Sequence, residues 1–200
     1  MSVRRLDPEQ PASFEFSAQN MEWAKAQIAK YPENRQAAAV IPLLWRAQEQ
    51  HEGWLPEPAI RTVAEMLAMP YIRVYEIATF YTMFNLSPVG KYFVQLCGTT
   101  PCMLRGAEDL KAICLKLIGP ERKVTADGLF SWMEVECLGA CVNAPMVQIN
   151  KDYFEDLTPD IFTNLLQKLR AGVAVKPGPQ INRQFSAPAS GSRTLLNTDR

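Results

Sequence analysis

Two pairs of cysteines are the residues whose chemistry and spacing point to a bound metal. Cys97 and Cys102 have four residues between them, and Cys137 and Cys141 have three. Each pair closes a short loop, and 34 residues separate the two loops. Thiolates bind zinc and iron–sulfur clusters tightly. Four of the five cysteines in the chain therefore form one candidate site.

The spacing leaves three kinds of site open. Structural zinc takes four thiolates from knuckles with about two to four intervening residues, which both loops satisfy. A thiol–disulfide redox site favours Cys-x-x-Cys, which neither loop contains. A [2Fe–2S] cluster takes four cysteines, and Gly98 and Gly139 would let backbone N–H groups approach the sulfur atoms. The spacing favours the cluster, then zinc, then a thiol pair.

Other polar residues are expected to tune the site or to lie outside it. Glu134 and Glu136 come just before Cys137. If they stay close and ionised, they disfavour an added electron and lower the reduction potential. Cys114 lies on the apolar face of a predicted helix, which is typical of a buried structural thiol. His51 is the only histidine. We expect it to cap a helix or lie at the surface, and a Rieske site is excluded because it needs two histidines.

The chain before the cysteines predicts a helical domain. Residues 1–16 are polar and broken by prolines, and we interpret them as an extended arm. Helical periodicity follows over 17–88, and Pro42 predicts a kink or a late start in the second helix. The aromatic residues Phe80, Tyr81 and Phe84 are expected in core or interdomain packing. The predicted helices cover 17–31, 35–50, 57–68 and 71–81.

The period changes from helical to extended after Gly90, which predicts a second domain over 89–176 and an irregular tail over 177–200. Asp127-Gly128 is a strong hairpin signal, and Thr158-Pro159 is a helix start. Both cysteine pairs follow predicted strand ends and can meet at one edge of a small sheet. The predicted strands are 91–96, 123–125, 129–136, 146–149 and 153–155, with helices over 104–118 and from 158 to 172.

This order of elements defines the fold class. It predicts a two-part α+β protein in which an N-terminal helical bundle precedes a thioredoxin-like layer, a small mixed sheet with a helix packed on it.

Composition narrows the choice of partners. Lysine and arginine total 21, as do aspartate and glutamate, so the formal charge is zero and nothing indicates a nucleic-acid partner. A helix–turn–helix-like stretch at 64–76 offers only Arg73 as a cation, and we interpret it as bundle packing. A neutral chain favours a permanent partner surface. No apolar run is long enough to span a membrane, and the N-terminus does not resemble a targeting peptide, so a reducing compartment is expected.

The ten residues Glu136-Cys137-Leu138-Gly139-Ala140-Cys141-Val142-Asn143-Ala144-Pro145 resemble a family signature. The family is the thioredoxin-like [2Fe–2S] subunit, of the 24-kDa type, of respiratory complex I, the NADH:quinone oxidoreductase. The resemblance runs from about residue 17 to 185, with no departure at the four cysteine positions. Matching segments also occur at 78–84, 99–102 and 177–180.

The resemblance implies the cofactor and the partners. Cys97 and Cys102 would hold one iron of a [2Fe–2S] cluster, and Cys137 and Cys141 the other. The cluster would exchange one electron with the flavin of the NADH-oxidising subunit, off the main chain of clusters. FMN and NADH would lie only on that partner, since this chain has no Gly-x-Gly-x-x-Gly or Walker-type loop. We expect no catalytic residue on this chain itself.

The same resemblance implies a setting in the cell. The chain would be a peripheral subunit at the cytoplasmic face of a bacterial inner membrane, or at the matrix side in an organelle. It would reach the membrane only through the other peripheral-arm subunits of the complex. Because the chain is neutral and the helical unit carries no chemistry of its own, we also expect residues 17–84 and the tail to dock the flavin subunit.

Two alternatives stay open from the sequence. The first is the matching diaphorase subunit of an NAD-linked hydrogenase or formate dehydrogenase, which shares the chemistry and differs in its partner. The second is a zinc-stabilised interaction module with no redox role.

Overall fold

The computed structural model describes residues 4–191, which form two compact units divided between Val89 and Gly90. The first unit is helical, and the second contains a mixed sheet with helices. The predicted two-part α+β fold class is confirmed. The predicted domain limits stay a prediction, because compactness alone does not show that either part folds independently.

The first unit contains four α-helices and one short 3₁₀ helix. Ser17 caps the first helix by accepting a hydrogen bond from the backbone N–H of Asn20, as its position predicts. The 3₁₀ helix, Gln36–Ala39, leads directly into the second α-helix, so Pro42 falls in its first turn. A proline is tolerated there because the first turn has no intrahelical partner for its nitrogen. The α-helices are α1 (Ala18–Ile28), α2 (Val40–Gln50), α3 (Glu57–Met66) and α4 (Tyr71–Phe80).

One hydrophobic core holds these helices together. Its fully buried residues recur at helical spacing and include Leu43, Leu44, Ile60 and Val63. Residues 4–16 form no helix or strand, and they add Phe14 and Phe16 to this core.

The aromatic group at the end of α4 only partly follows its prediction. Phe84 is fully buried. Phe80 is 77% exposed and Tyr81 is also exposed, so the packing expected for Phe80 is wrong. Phe80 and Tyr81 contact each other edge to face instead.

The second unit is built on a five-stranded sheet with the order β2-β1-β3-β4-β5. β1 pairs with β2 in parallel and with β3 antiparallel, β3 pairs with β4 antiparallel, and β4 pairs with β5 in parallel. The strands are β1 (Tyr92–Cys97), β2 (Phe130–Val135), β3 (Val147–Ile149), β4 (Asp152–Glu155) and β5 (Gly178–Pro179).

Helices supply the parallel crossover and pack against this sheet. Between β1 and β2 the chain forms α5 (Thr100–Leu104) and α6 (Ala107–Leu117), and α7 (Pro159–Arg170) follows β4. Thr158 caps α7 by accepting from the N–H of Ile161, as predicted. Apolar residues of α6 and α7 form one core with inward residues of β1 to β4, among them Trp132, whose indole N–H donates to the carbonyl of Gly119.

Three features of this unit differ from the prediction. The helix expected over 104–118 is α6, which begins only at Ala107, after Gly106 with a left-handed φ of 104°, and the separate short helix α5 was not predicted. Residues 123–125 form no strand, since Arg122 has a positive φ and only isolated backbone bonds reach β2. The tail expected to be irregular from residue 177 contains β5, which adds an edge strand beside β4.

Within residues 4–191, no helix combines the length and apolar character that crossing a membrane requires.

Candidate metal centre

The parallel pairing of β1 and β2 brings the two cysteine loops together. Cys97 is the last residue of β1 and lies opposite Val135, the last residue of β2. Cys137 follows two residues later. Because the carboxyl ends of neighbouring parallel strands share one edge of a sheet, both loops start side by side. The sequence predicted this edge correctly.

The first pair is buried. Cys102 lies inside α5 and, like Cys97, packs in a small cluster with Ala107, Ala144 and Met146. Burial, together with the neighbouring Cys97 thiol, raises the pKa of Cys102 to about 12. A thiol in this position needs a metal ion or another positive charge to become a thiolate at neutral pH.

The second pair is exposed. The sulfur atoms of Cys137 and Cys141 are 3.5 Å apart, too far for a disulfide, whose sulfurs are about 2.0 Å apart. Two thiolates on one tetrahedral metal, each about 2.3 Å from it, stand about 3.8 Å apart, which is close to the observed spacing. The N–H of Gly139 donates to the Cys137 sulfur over 3.4 Å, and its φ of 81° suits glycine.

Hydrogen bonds to the sulfur atoms form both within the first cysteine loop and between the two loops. The sulfur of Cys97 lies 3.4 Å from the Thr99 hydroxyl. Burial acts to raise the pKa of Cys97, but hydrogen bonds from the Thr99 hydroxyl and from the Leu138 backbone outweigh it and lower that pKa. The Gly139 N–H, the Cys141 thiol and the Thr99 hydroxyl together lower the pKa of Cys137. Thr99 therefore serves one cysteine of each pair.

The donor set fits a two-iron cluster. Four sulfurs are arranged as two pairs at one sheet edge, with N–H and O–H donors directed at them. In residues 4–191, no three His, Cys, Asp or Glu side chains are grouped as a site for a single metal ion. Paired sulfurs match two irons with two cysteine ligands each.

Two sequence-based expectations change: the effect of the Glu134 charge on the cysteines, and the approach of the Gly98 N–H to a sulfur atom. Glu134 does lie against the first loop, because a Cβ on Gly98 would clash with its carboxylate. Its charge is paired, since Lys111 Nζ is 2.6 Å from its Oε2. Gly98 leaves room for this side chain, and its N–H donates to the carbonyl of Val135 rather than to sulfur. Glu136 is exposed.

Sequence reasoning missed some residues that support the site. The hydroxyl of Tyr153, on β4, donates to the carbonyl of Leu138 over 2.8 Å. This hydrogen bond ties the second cysteine loop to the sheet. Its only sequence signal was its place in a strand. Thr99 lies within a segment that matches the family, but the spacing of the cysteines alone assigned it no contact.

Cys114 and His51 have the structural surroundings expected of them. Cys114 is fully buried in the core of the second unit, and burial raises its pKa to about 12. The ring of His51, at the end of α2, packs against Trp54 and Phe14. Burial lowers the pKa of His51 despite the opposing charge of Glu52.

Comparisons with known proteins identify the family. The family model of the thioredoxin-like [2Fe–2S] ferredoxin matches residues 24–170. The NADH-quinone oxidoreductase E 1 subunit of Rhizobium meliloti is 59% identical over 98% of this chain and 73% of its own length. The E subunit of the same enzyme from Rickettsia conorii is 56% identical over 79% of this chain and 95% of its own. The chain therefore belongs to the thioredoxin-like [2Fe–2S] ferredoxin family. The resemblance to the 24-kDa-type subunit is confirmed.

A solved structure shares the fold at low identity. The crystal structure of an NAD⁺-reducing [NiFe]-hydrogenase in its H₂-reduced state aligns with 66% of this chain and 22% of its own, with a TM-score of 0.56 and 21% identity. At this identity the match shows a common fold.

Replacing Thr99 with valine should lower the reduction potential of the loaded chain. The change keeps the shape and removes a hydroxyl that favours extra negative charge on sulfur. One hydrogen bond contributes roughly 1 kcal/mol, and a fraction of that energy corresponds to a shift of a few tens of millivolts in the reduction potential. A redox titration followed by visible absorbance measures the shift. Thr100→Val, next to it and exposed, is the control, and equal potentials in both variants would contradict the role of Thr99.

Proposed function

We propose that this chain is the electron-transfer subunit of an NADH-quinone oxidoreductase, with Cys97 and Cys102 on one iron of a [2Fe–2S] cluster and Cys137 and Cys141 on the other. The observation that carries the proposal is the meeting of two cysteine pairs at the edge shared by β1 and β2. Family membership and relatives above 50% identity support it.

The residues of the chain prepare the site for its cofactor. When bound, such a cluster accepts and returns a single electron. The N–H groups of Leu138 and Gly139 and the hydroxyl of Thr99 direct positive charge at sulfur, which favours thiolate over thiol. The buried first pair excludes water from one side, and the exposed second pair leaves the other side open to a partner.

The proposed partner is the flavin-bearing, NADH-oxidising subunit. One electron would leave the reduced flavin and enter the cluster of this chain, and it would return by the same route. The residues that directly follow each second cysteine are apolar and exposed: Met103 and Leu104 after Cys102, and Val142 after Cys141. Apolar side chains bordering a redox site suit a surface that a partner covers.

A second surface suited to a partner lies on α4. Ile72, Glu76 and Phe80 share one face of this helix at four-residue spacing, and both apolar members are exposed. Tyr81 extends the apolar area. Exposed aromatic residues are typical anchors of protein interfaces. We therefore assign this face to docking of the flavin subunit.

The two alternatives have less support. The hydrogenase structure shares only the fold at 21% identity, whereas five relatives at 53–59% identity are NADH-quinone oxidoreductase E subunits. A zinc module has no support from the family, whose model is that of a [2Fe–2S] ferredoxin. As part of the proposal, the complex holds this chain at the cytoplasmic face of a bacterial inner membrane.

Replacing any one of the four cysteines should prevent stable loading, because each supplies half of the protein ligands of one iron. Cys97→Ser or Cys141→Ala is expected to lose the visible absorption of the cluster after purification without oxygen. Cys114→Ala should keep it, since that thiol lies in the core. A normal spectrum in Cys141→Ala would contradict the ligand assignment.

Placing a charge on the exposed face of α4 should weaken docking. An aromatic anchor is worth about 2 kcal/mol or more, so Phe80→Glu should raise the Kd for the flavin subunit roughly thirtyfold. Binding to the immobilised flavin subunit measures this change. Leu115→Glu, an exposed apolar position on α6, is the matched control. An unchanged Kd for Phe80→Glu would exclude this face, and full binding by a chain lacking residues 1–84 would exclude the helical unit altogether.

A further inference from the structure

The tail of the second unit carries an ion pair that is shielded from water. Arg183 Nη1 lies 2.8 Å from Asp156 Oδ1, and the two side chains are 6% and 9% exposed. By comparison, the Arg73 and Glu76 side chains, 2.9 Å apart on α4, are 66% and 55% exposed. An exposed pair contributes little, whereas losing one partner of a shielded pair leaves a charge unpaired. The tail is therefore fixed to the unit at this point.

The same ion pair is connected to the turn that contains Cys141. That turn is the 3₁₀ helix Cys141–Asn143, and the side chain of Asn143 is buried. Asn143 Nδ2 donates to Asp156 Oδ2 over 3.2 Å and to the carbonyl of Phe185 over 2.9 Å. In return, the backbone N–H of Asp156 donates to the carbonyl of Asn143 over 2.8 Å. A change at Asp156 or in the tail therefore acts on the residue two positions after Cys141.

The guanidinium of Arg183 joins three pieces of chain at once. Its Nε donates to the carbonyl of Ala187 over 2.8 Å, which closes the tail into a loop. Its Nη1 also reaches the carbonyl of Val142, the residue after Cys141, at 3.5 Å. A planar fork of donors can make these contacts together, which a lysine ammonium on its flexible stem cannot.

We propose that Arg183, Asp156 and Asn143 are positioning residues that fasten residues 180–187 onto the turn of Cys141. These contacts hold the exposed Cys141 sulfur in the position from which it would bind iron. Cys102 is held by burial in a packed cluster, but Cys141 is exposed and has no such enclosure. The network supplies from the tail the rigidity that packing supplies for the first pair. This proposal rests on the assignment of Cys141 as a ligand.

The direct test follows release of the cluster from the full-length chain. Visible absorbance is recorded after an iron chelator is added to the wild type and to Arg183→Met. Loss of a residue that supports a ligand costs about tenfold to a hundredfold in metal affinity, so release should accelerate roughly tenfold or more. Arg183→Lys should be intermediate, because it keeps the charge but not the fork. Gln184→Ala, the exposed neighbour, should release the cluster at the wild-type rate.

A second variant approaches the network from the other side. Asp156 has a φ of 55°, a backbone conformation that asparagine also tolerates. Asp156→Asn therefore keeps the turn and removes the negative charge that Arg183 needs. It should accelerate release in the same direction as Arg183→Met, and a wild-type rate in both variants would overturn the proposal.

Hydrogen exchange on the cluster-free chain separates this proposal from the ligand assignment. Arg183→Met should speed exchange at the N–H groups of Asn143, Ala144 and Asp156, and leave α6 unchanged. Equal acceleration throughout the second unit would show a general loss of stability and overturn the positioning role. If Cys141→Ala keeps its cluster while the local exchange change persists, the ligand assignment fails and the fastening of the turn stands.

Discussion

The parallel pairing of β1 with β2 is the constraint on which the rest of the second unit depends. It aligns Cys97 with Val135 and so places both cysteine loops at one edge of the sheet. Parallel neighbours need a crossover, and α5 and α6 supply it while carrying Cys102 into the site. The core beneath the sheet, formed with α7, stabilises this register. A shift of one residue would turn each side chain to the opposite face and separate the sulfurs.

The two halves of the site are held by different physical means. Cys97 and Cys102 are fixed by close packing with apolar neighbours, and they lose water in the process. Cys137 and Cys141 lie at the surface and depend on hydrogen bonds: from Gly139 to sulfur, from Tyr153 to the carbonyl of Leu138, and from Asn143 to the carbonyl of Phe185 in the tail. This asymmetry suits an electron carrier, since one side is insulated and the other remains accessible to a partner.

Local signals in the sequence predicted much of the fold, and long-range contacts account for most of what it missed. Thr158-Pro159 starts α7, and the strand before each cysteine loop is where periodicity placed it. The break at Gly106 and the edge strand β5 depend on how the chain packs, which periodicity does not report. The positions of the site cysteines followed from spacing and motif. Their partners, Thr99 and Tyr153, make their contacts only after folding, and a single sequence carries no record of such contacts.

The proposed electron-transfer role requires that the four cysteines hold two irons and not one zinc. Metal and acid-labile sulfide analysis of the chain, purified without oxygen and combined with its visible spectrum, tests this most directly. We expect a reddish-brown protein with equal amounts of iron and sulfide, whose colour bleaches when dithionite is added. A colourless protein with a stoichiometric amount of zinc and no sulfide would contradict this role.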